Sequence, residues 1–144
     1  MILVFMIKMS VKSRSKTEFI DVTEKIQELV SKQEFSSGYM VVYVPHTTAA
    51  VTINEGADPS VQHDILERLQ QLVPEDGRYT HAEGNSDAHI KSSLLGCSEL
   101  ILVENSSLQL GTWQHVFFFE GDGPRNRTMY VQLYPLSKQK NVEE

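Results

Sequence analysis

The stretch GYMVVYVPHTTAAVTINEG, residues 38–56, decides the fold class. Val, Tyr, Thr and Ile dominate it, and such β-branched and aromatic residues favour strands. Pro45 and His46 interrupt the run, so the pattern predicts two strands with a break between them. The following residues, DPSVQHDILERLQQLVP, predict an amphipathic helix that ends at Pro74, with Asp58 as its N-cap and Pro59 in its first turn.

The segments on either side extend this pattern. Toward the N-terminus we predict a half-buried strand in FMIKMSVKS, with the odd-numbered residues on one side, a second strand in TEFIDV and a helix in DVTEKIQELVSKQ. Toward the C-terminus we predict a short helix in SDAHIKSSLLG, capped by Ser86 and stopped by Gly96. Strands should follow in SELILVEN, SLQLGTWQHVFFFE and TMYVQLYP. About seven or eight strands with three helices in this order predict an α+β fold.

Length and charge limit the classes of protein. The chain has 144 residues, the usual size of one domain, which we assign to 1–144 with 1–9 as an N-terminal extension and 137–144 as a frayed tail. The net charge of −6 argues against nucleic-acid binding but leaves room for a local phosphate pocket. The apolar start is too short to span a membrane and lacks the features of a signal peptide, so we expect no membrane partner.

The single cysteine, Cys97, rules out a disulfide framework and fits a reducing cytoplasm. It has no CxxC partner, and we predict a buried structural thiol. Sequence motifs for P-loop nucleotide binding, Rossmann dinucleotide binding, α/β-hydrolases and thioredoxin-like chemistry are missing. These four activities are therefore not the leading hypotheses.

Three histidines are candidates for a site. His46 directly follows a strand and a proline, where loops often present functional groups, although an exposed loop histidine fits equally well. His81 and His89 lie in YTHAEGNSDAHIKSSL and are either polar surface residues or metal ligands. With His46 as a third ligand, the three would describe a catalytic metal site with one open position.

Polar residues near these histidines have two interpretations each. Glu83, Asn85 and Asp87 could act as general base, ligand or partner of an imidazole, or they could simply form a turn. His63 lies one turn before Glu67 on the predicted helix, and an ion pair on a solvated face is the simpler interpretation. His63 would reach a site only if a partner subunit covered that face.

Two further motifs carry polar groups after the apolar strands. Arg125 and Arg127 in GDGPRNR share one side of a strand start, which suits a phosphate, but they could equally be a charged turn that keeps a hairpin soluble. In GTWQH we expect Trp113 in the core. Thr112 and Gln114 would then share the opposite face and could line a pocket.

Together, PHTTAAVTINEGADPSVQHD, YTHAEGNSDAHIKSSLLG, LGTWQ and GDGPRNR resemble the YjbQ-like family of uncharacterised proteins, over about residues 10–136. The resemblance implies a two-sheet β-sandwich, a homotrimer and a cytoplasmic protein. It also implies a link to a weak thiamine-phosphate synthase activity reported for some members. The chain departs from the family at His115, where glycine is frequent, and in the variable loop around Asn85.

From the residues and this resemblance, the leading hypothesis is a metal-assisted enzyme that acts on a small phosphorylated metabolite. It would be a thiamine-phosphate synthase-like transferase or a phosphate-ester hydrolase. The alternative is a non-catalytic trimeric binding module for a small anion, with a structural or regulatory metal. The proposed roles are a divalent metal, zinc, on His46, His81 and His89; acid–base chemistry by Glu83, Asp58 or His63; and ligand or phosphate binding by Thr47, Lys91, Ser92, Ser93, Thr112, Gln114, Arg125 and Arg127.

Overall fold

The computed structural model describes residues 6–137, so residues 1–5, with Phe5 of the first predicted strand, and residues 138–144 of the predicted tail lie outside the described residues. The elements in chain order are β1 (Ile7–Lys12), β2 (Glu18–Asp21), α1 (Thr23–Ser31), β3 (Gly38–Tyr43), β4 (Ala49–Glu55), α2 (Pro59–Leu72), α3 (Ser86–Leu95), β5 (Ser98–Glu104), β6 (Ser107–Leu108), β7 (Gln114–Glu120) and β8 (Asn126–Pro135). The predicted α+β class is confirmed. The predicted break at Pro45 and His46 separates β3 from β4, and β1 already includes residues 7–9.

The strands form two antiparallel sheets that enclose the core. The larger sheet has the order β1-β8-β3-β5-β6 and the smaller one β2-β7-β4. Alternate residues of both sheets point inward and form one buried cluster with α1. Its members include Met40, Val42, Ile101, Met129 and Val131 from the larger sheet, and Val51, Val116 and Phe118 from the smaller one.

The opposite face of the smaller sheet is also covered. Ala50, Phe117 and Phe119 are buried there, and α3 packs against β4. Helix α3 begins one residue earlier than we predicted, because Asn85 occupies the N-cap position and Ser86 is already helical. Gly96, at φ +95°, ends the helix as predicted, since glycine adopts positive φ without strain.

Helix α2 has the predicted cap but not a buried face. Asp58 accepts a hydrogen bond from the Ser60 N–H at 2.9 Å, as an N-cap should. None of its residues is buried, and Leu72 is 67% exposed. Among residues 6–137, no helix is long and apolar enough to cross a membrane.

Two predicted core residues are exposed. Trp113 is 61% exposed because it precedes β7, whose residues are buried only from Val116 onward. Cys97 is exposed because it lies between Gly96 and the start of β5. Both predictions of burial were wrong, since each residue lies in a loop just before a strand.

Candidate functional site

Two adjoining clefts lie where the β3–β4 loop meets α3. We call the first the arginine cleft; it encloses about 370 Å³ and is lined by Pro45, His46, Thr47, Thr48, Glu83, Asn85, His89, Asp122, Arg125 and Arg127. We call the second the cysteine cleft; it encloses about 500 Å³ and is lined by His46, Thr47, Ala49, His89, Ser92, Ser93, Gly96 and Cys97. The clefts share His46, Thr47 and His89, so the structure brings two of the predicted histidines into one region.

His46 is held in a defined tautomer. Its Nε2 accepts a hydrogen bond from the Thr128 backbone N–H at 3.0 Å, so this nitrogen carries no proton. Burial and the neighbouring charge of Arg127 lower the pKa of His46. The neutral ring therefore carries its proton on Nδ1 and can donate a hydrogen bond, but in this arrangement neither nitrogen is free to ligate a metal.

His81 and His89 lie close together, as predicted for the loop and helix that carry them. Their rings meet edge to face, with centroids 5.4 Å apart. Gly84 lies between them at φ +76°, which lets the loop turn back toward α3. Glu83 lies near His81, with Oε2 3.6 Å from Nε2. This pair of imidazoles is the part of the predicted metal site that one chain assembles.

The complete three-histidine metal site is not assembled by one chain. Within residues 6–137, His63, Asp64 and Glu67 form the only group of three His, Cys, Asp or Glu side chains whose ligand atoms lie within 4.8 Å of one another. All three are exposed on α2. A catalytic zinc needs three protein ligands, and the predicted set offers two close imidazoles beside a hydrogen-bonded third. One chain therefore holds only two of the three predicted zinc ligands close together.

Arg127 is buried against a carboxylate. It is 6% exposed, and its Nε lies 2.9 Å from Oε1 of Glu120, which is fully buried. Its Nη2 also donates to Thr48 Oγ1 at 2.8 Å. Burial alone would raise the pKa of Glu120, but hydrogen bonds from Arg127 and Ser13 outweigh it and lower that pKa. Both partners are therefore charged, and the pair ties β7 to the start of β8.

Arg125 is also paired within its own chain, but at the surface. Its Nη2 lies 3.0 Å from Oδ2 of Asp122, and its side chain is 54% exposed. Asp122 accepts a second hydrogen bond from Asn85 at 3.0 Å. The charges that line the cleft are Arg125, Arg127, Glu83 and Asp122, so two positive groups balance two negative ones. The cleft is not strongly electropositive.

Lys91 does not lie in either cleft. It is 1% exposed, and its Nζ donates to Asp87 Oδ2 at 3.1 Å and to Gln70 Oε1 at 3.0 Å. A buried ammonium needs such partners, because desolvation without them is costly. The prediction of Lys91 as a phosphate ligand was wrong: its side chain links α3 to α2 in the interior.

The serines that follow Lys91 differ in environment. Ser93 donates to the His89 carbonyl at 2.9 Å, which is a common local hydrogen bond in helices. The Ser92 hydroxyl is buried and has no hydrogen-bond partner within the described part of the chain. Both serines line the cysteine cleft.

Four predicted site residues lie at the other end of the smaller sheet. Ala49 pairs with Glu120 near the clefts, and Glu55 pairs with Gln114 six residues further along β4, which is about 20 Å at the usual rise per residue. Thr112 and Gln114 lie at that far end. Asp58 and His63 follow it on α2, where Asp58 is a helix cap and His63 pairs with Glu67 at 3.2 Å. One chain therefore does not bring these four to the histidines.

Sequence reasoning missed Thr48, Glu120 and Asp122. Thr48 is a hydrogen-bond partner of Arg127, and the two carboxylates pair with the two arginines. The signal was present for Glu120, since a charged residue that ends the apolar run VFFF is costly to bury and needs a partner. Arg127, seven residues later, was the available cation.

Comparisons with known proteins point to one family over most of the chain. A family model described as UPF0047 protein YjbQ-like matches residues 7–135. The UPF0047 protein MJ1081 of Methanocaldococcus jannaschii is 48% identical over 133 residues, which are 92% of this chain and 96% of that protein. The UPF0047 protein YugU of Bacillus subtilis is 44% identical over 126 residues, with 87% and 96% coverage.

Solved structures show the same fold. A YjbQ/UPF0047 family protein from Clostridium acetobutylicum superposes with a TM-score of 0.87 at 48% identity and covers 89% of this chain and 99% of its own. A YbjQ-like protein of unknown function from Sulfolobus solfataricus gives a TM-score of 0.88 at 27% identity, with 94% and 100% coverage. None of these names states an activity.

Proposed function

The chain belongs to the UPF0047 YjbQ-like family, and from that premise we propose that it binds a small phosphorylated metabolite in the arginine cleft and acts on it as an enzyme. One observation carries the proposal: His46, Arg125 and Arg127 converge on a single cleft. A neutral imidazole N–H and two guanidinium groups are donors that suit phosphate oxygens. Thr47 adds a hydroxyl at the same place.

The exposed arginine decides how strongly phosphate binds. The charges lining the cleft cancel, so long-range attraction contributes little. Arg125 lies at the surface and can exchange the Asp122 carboxylate for a phosphate oxygen, whereas Arg127 is fixed by Glu120. We therefore assign binding strength mainly to Arg125 and orientation to His46 and Arg127.

We favour a reaction that breaks the bond to a phosphate or pyrophosphate group. It would be a thiamine-phosphate synthase-like transfer or the hydrolysis of a phosphate ester. Such reactions need a cation at the leaving oxygens and an acid–base group nearby. Arg125 supplies the cation, and Glu83 beside His81 supplies the carboxylate. The proposal includes a divalent ion such as zinc beside His81 and His89.

The alternative function is a trimeric module that binds a small anion without turnover. Arg125 and Arg127 are both paired with carboxylates of their own chain, and Lys91 is buried. Cations that are already neutralised can hold an anion but offer less charge to a transition state. This pairing is the observation that favours the alternative.

A homotrimer is part of both proposals. The predicted site residues fall into two groups at opposite ends of the smaller sheet, and a neighbouring copy could bring Thr112, Gln114 and His63 to the clefts. Uncovered apolar side chains support an interface, because a monomer rarely exposes many together. They include Leu72 at 67%, Leu100 at 57%, Leu102 at 59% and Trp113 at 61% exposure. We place this trimer in the cytoplasm, which the unpaired Cys97 fits.

Calorimetric titration with inorganic phosphate tests the site. Arg125→Ala should weaken binding about 10-fold, in line with about 1.4 kcal/mol for one charged hydrogen bond. Lys25→Ala, which removes one positive charge from the exposed face of α1, is the control and should leave the affinity unchanged. Equal affinities for unaltered protein and Arg125→Ala, or no binding at all, would refute the proposed phosphate site.

Metal content tests the metal-assisted form of the proposal. Protein purified without an affinity tag should carry about one divalent ion per chain, which elemental analysis measures, and His89→Ala should lose it. His115→Ala, which removes a histidine that pairs with Asp21 away from the clefts, is the control and should keep the ion. A protein without metal, or metal content unaffected by His89→Ala, would leave only the metal-free proposals.

A further inference from the structure

The cysteine cleft differs chemically from the arginine cleft beside it. The two share His46, Thr47 and His89, so they are continuous across these side chains. Every carboxylate and guanidinium lies on the arginine side. The remaining wall of the cysteine cleft is uncharged and made of small residues: Ala49, Ser92, Ser93, Gly96 and Cys97.

We propose that the cysteine cleft is the subsite for the uncharged organic group of the metabolite whose phosphate lies in the arginine cleft. The proposal rests on the phosphate site proposed above and names the class of ligand. It would be a phosphate monoester of a small uncharged group that carries one hydrogen-bonding atom.

Size and shape support this assignment. Ligand pockets commonly enclose about 300–1,000 Å³, and the cysteine cleft alone encloses about 500 Å³. A side-chain carbon placed on Gly96 would meet no other atom within 4 Å, so the wall is open at this point. Ala49 is buried and small, which leaves the floor of the cleft free of long side chains.

The polarity of the wall supports one hydrogen bond to the organic group. Ser92 is 7% exposed, and its hydroxyl has no partner within residues 6–137. A buried hydroxyl without a partner is unfavourable, so a ligand atom that pairs with it, after the Ser92 side chain rotates toward the cleft, gains affinity. Ser93 in the same wall already donates to the His89 carbonyl and needs no ligand.

Cys97 gives direct experimental access to the cleft. Its side chain is exposed and lines the cleft, so a larger residue at this position should fill the space without disturbing the core. Cys97→Phe is the filling variant and Cys97→Ser the matched control of similar size. Ser93→Phe fills the same cleft from a second exposed position. It shows whether an effect of Cys97→Phe comes from filling the cleft or only from the change at residue 97.

The probes are inorganic phosphate and phenyl phosphate, each titrated calorimetrically. Unaltered protein and Cys97→Ser should bind phenyl phosphate at least 10-fold more tightly than phosphate, because the ring buries apolar surface. Cys97→Phe and Ser93→Phe should bind both probes equally, with the affinity for phosphate unchanged.

The two proposals fail in different ways. If phosphate binds but phenyl phosphate binds no more tightly, or if both filling variants keep the preference, the subsite assignment is overturned while the phosphate site stands. If phosphate does not bind, or Arg125→Ala does not weaken it, the proposed function itself fails.

Discussion

At the scale of single residues, the two arginines of GDGPRNR differ in their burial and in the carboxylate that each one pairs with. Arg127 and Glu120 form a buried pair, with additional hydrogen bonds from Arg127 to Thr48 and from Ser13 to Glu120. Arg125 and Asp122 form an exposed pair. Loss of one partner from a buried pair leaves the other charge unpaired in the interior, whereas an exposed charge is solvated by water.

This difference predicts that two similar substitutions lower the free energy of unfolding by very different amounts. Arg127→Ala should lower the free energy of unfolding by about 3–5 kcal/mol, and Arg125→Ala by less than about 1 kcal/mol. Urea denaturation followed by circular dichroism measures both. If both variants lost a similar amount of unfolding free energy, the change would not leave Glu120 as an unpaired buried charge. Because of this cost, Arg125 is the better residue for testing phosphate binding.

At the scale of elements, helix α2 depends on its first turn. Asp58 accepts hydrogen bonds from the N–H and the hydroxyl of Ser60, and these bonds lower its pKa. The contacts of Asp58 are therefore those of an N-cap, although we also predicted from the sequence that Asp58 could act in acid–base chemistry. Pro59 supports the same turn, since its fixed φ suits the first helical position.

The cap explains what substitution of Asp58 should do. Asp58→Ala should lower the free energy of unfolding, and Asp58→Asn should leave it almost unchanged because the amide oxygen of asparagine still accepts the bond. Thermal or urea denaturation checks the stability of both variants. If Asp58→Asn instead abolished turnover at unchanged stability, the carboxylate would have a chemical role.

Local sequence predicted the elements well and the site only in part. Alternation and turn residues fixed β3, β4 and the start of α2, because those signals lie within a few neighbouring residues. His81 and His89 share one loop and helix and were correctly placed together. The burial of Lys91 depends on Gln70 in another helix. The tautomer of His46 depends on a backbone group 82 residues away. Short-range patterns carry no information about such partners.

At the scale of the whole molecule, one face of the larger sheet is rich in aromatic and aliphatic side chains. Tyr39 stacks on Tyr134 with ring centroids 4.9 Å apart, and Tyr43 stacks on Tyr130 at 6.4 Å. Leu100, the register partner of Val41, is 57% exposed on this face. An apolar surface of this kind is typical of a protein interface.

The proposed trimer predicts a defined mass. Light scattering after size-exclusion chromatography should give three times the chain mass of 16.3 kDa. Leu100→Lys combined with Leu102→Lys should lower the mass toward one chain, because burying two ammonium groups opposes association. Glu28→Lys, on the exposed face of α1, is the control. The mass of a single chain for the unaltered protein would contradict the trimer.

The position of Trp113 has an optical consequence. It is the chain's only tryptophan, and its indole is largely in water within one subunit. Its fluorescence therefore reports on a single place, the loop before β7, about 20 Å along the sheet from the clefts. If a neighbouring copy covers this loop, the emission shifts to shorter wavelengths, and dilution reverses the shift. The protein thus carries its own probe of assembly, which needs no added dye.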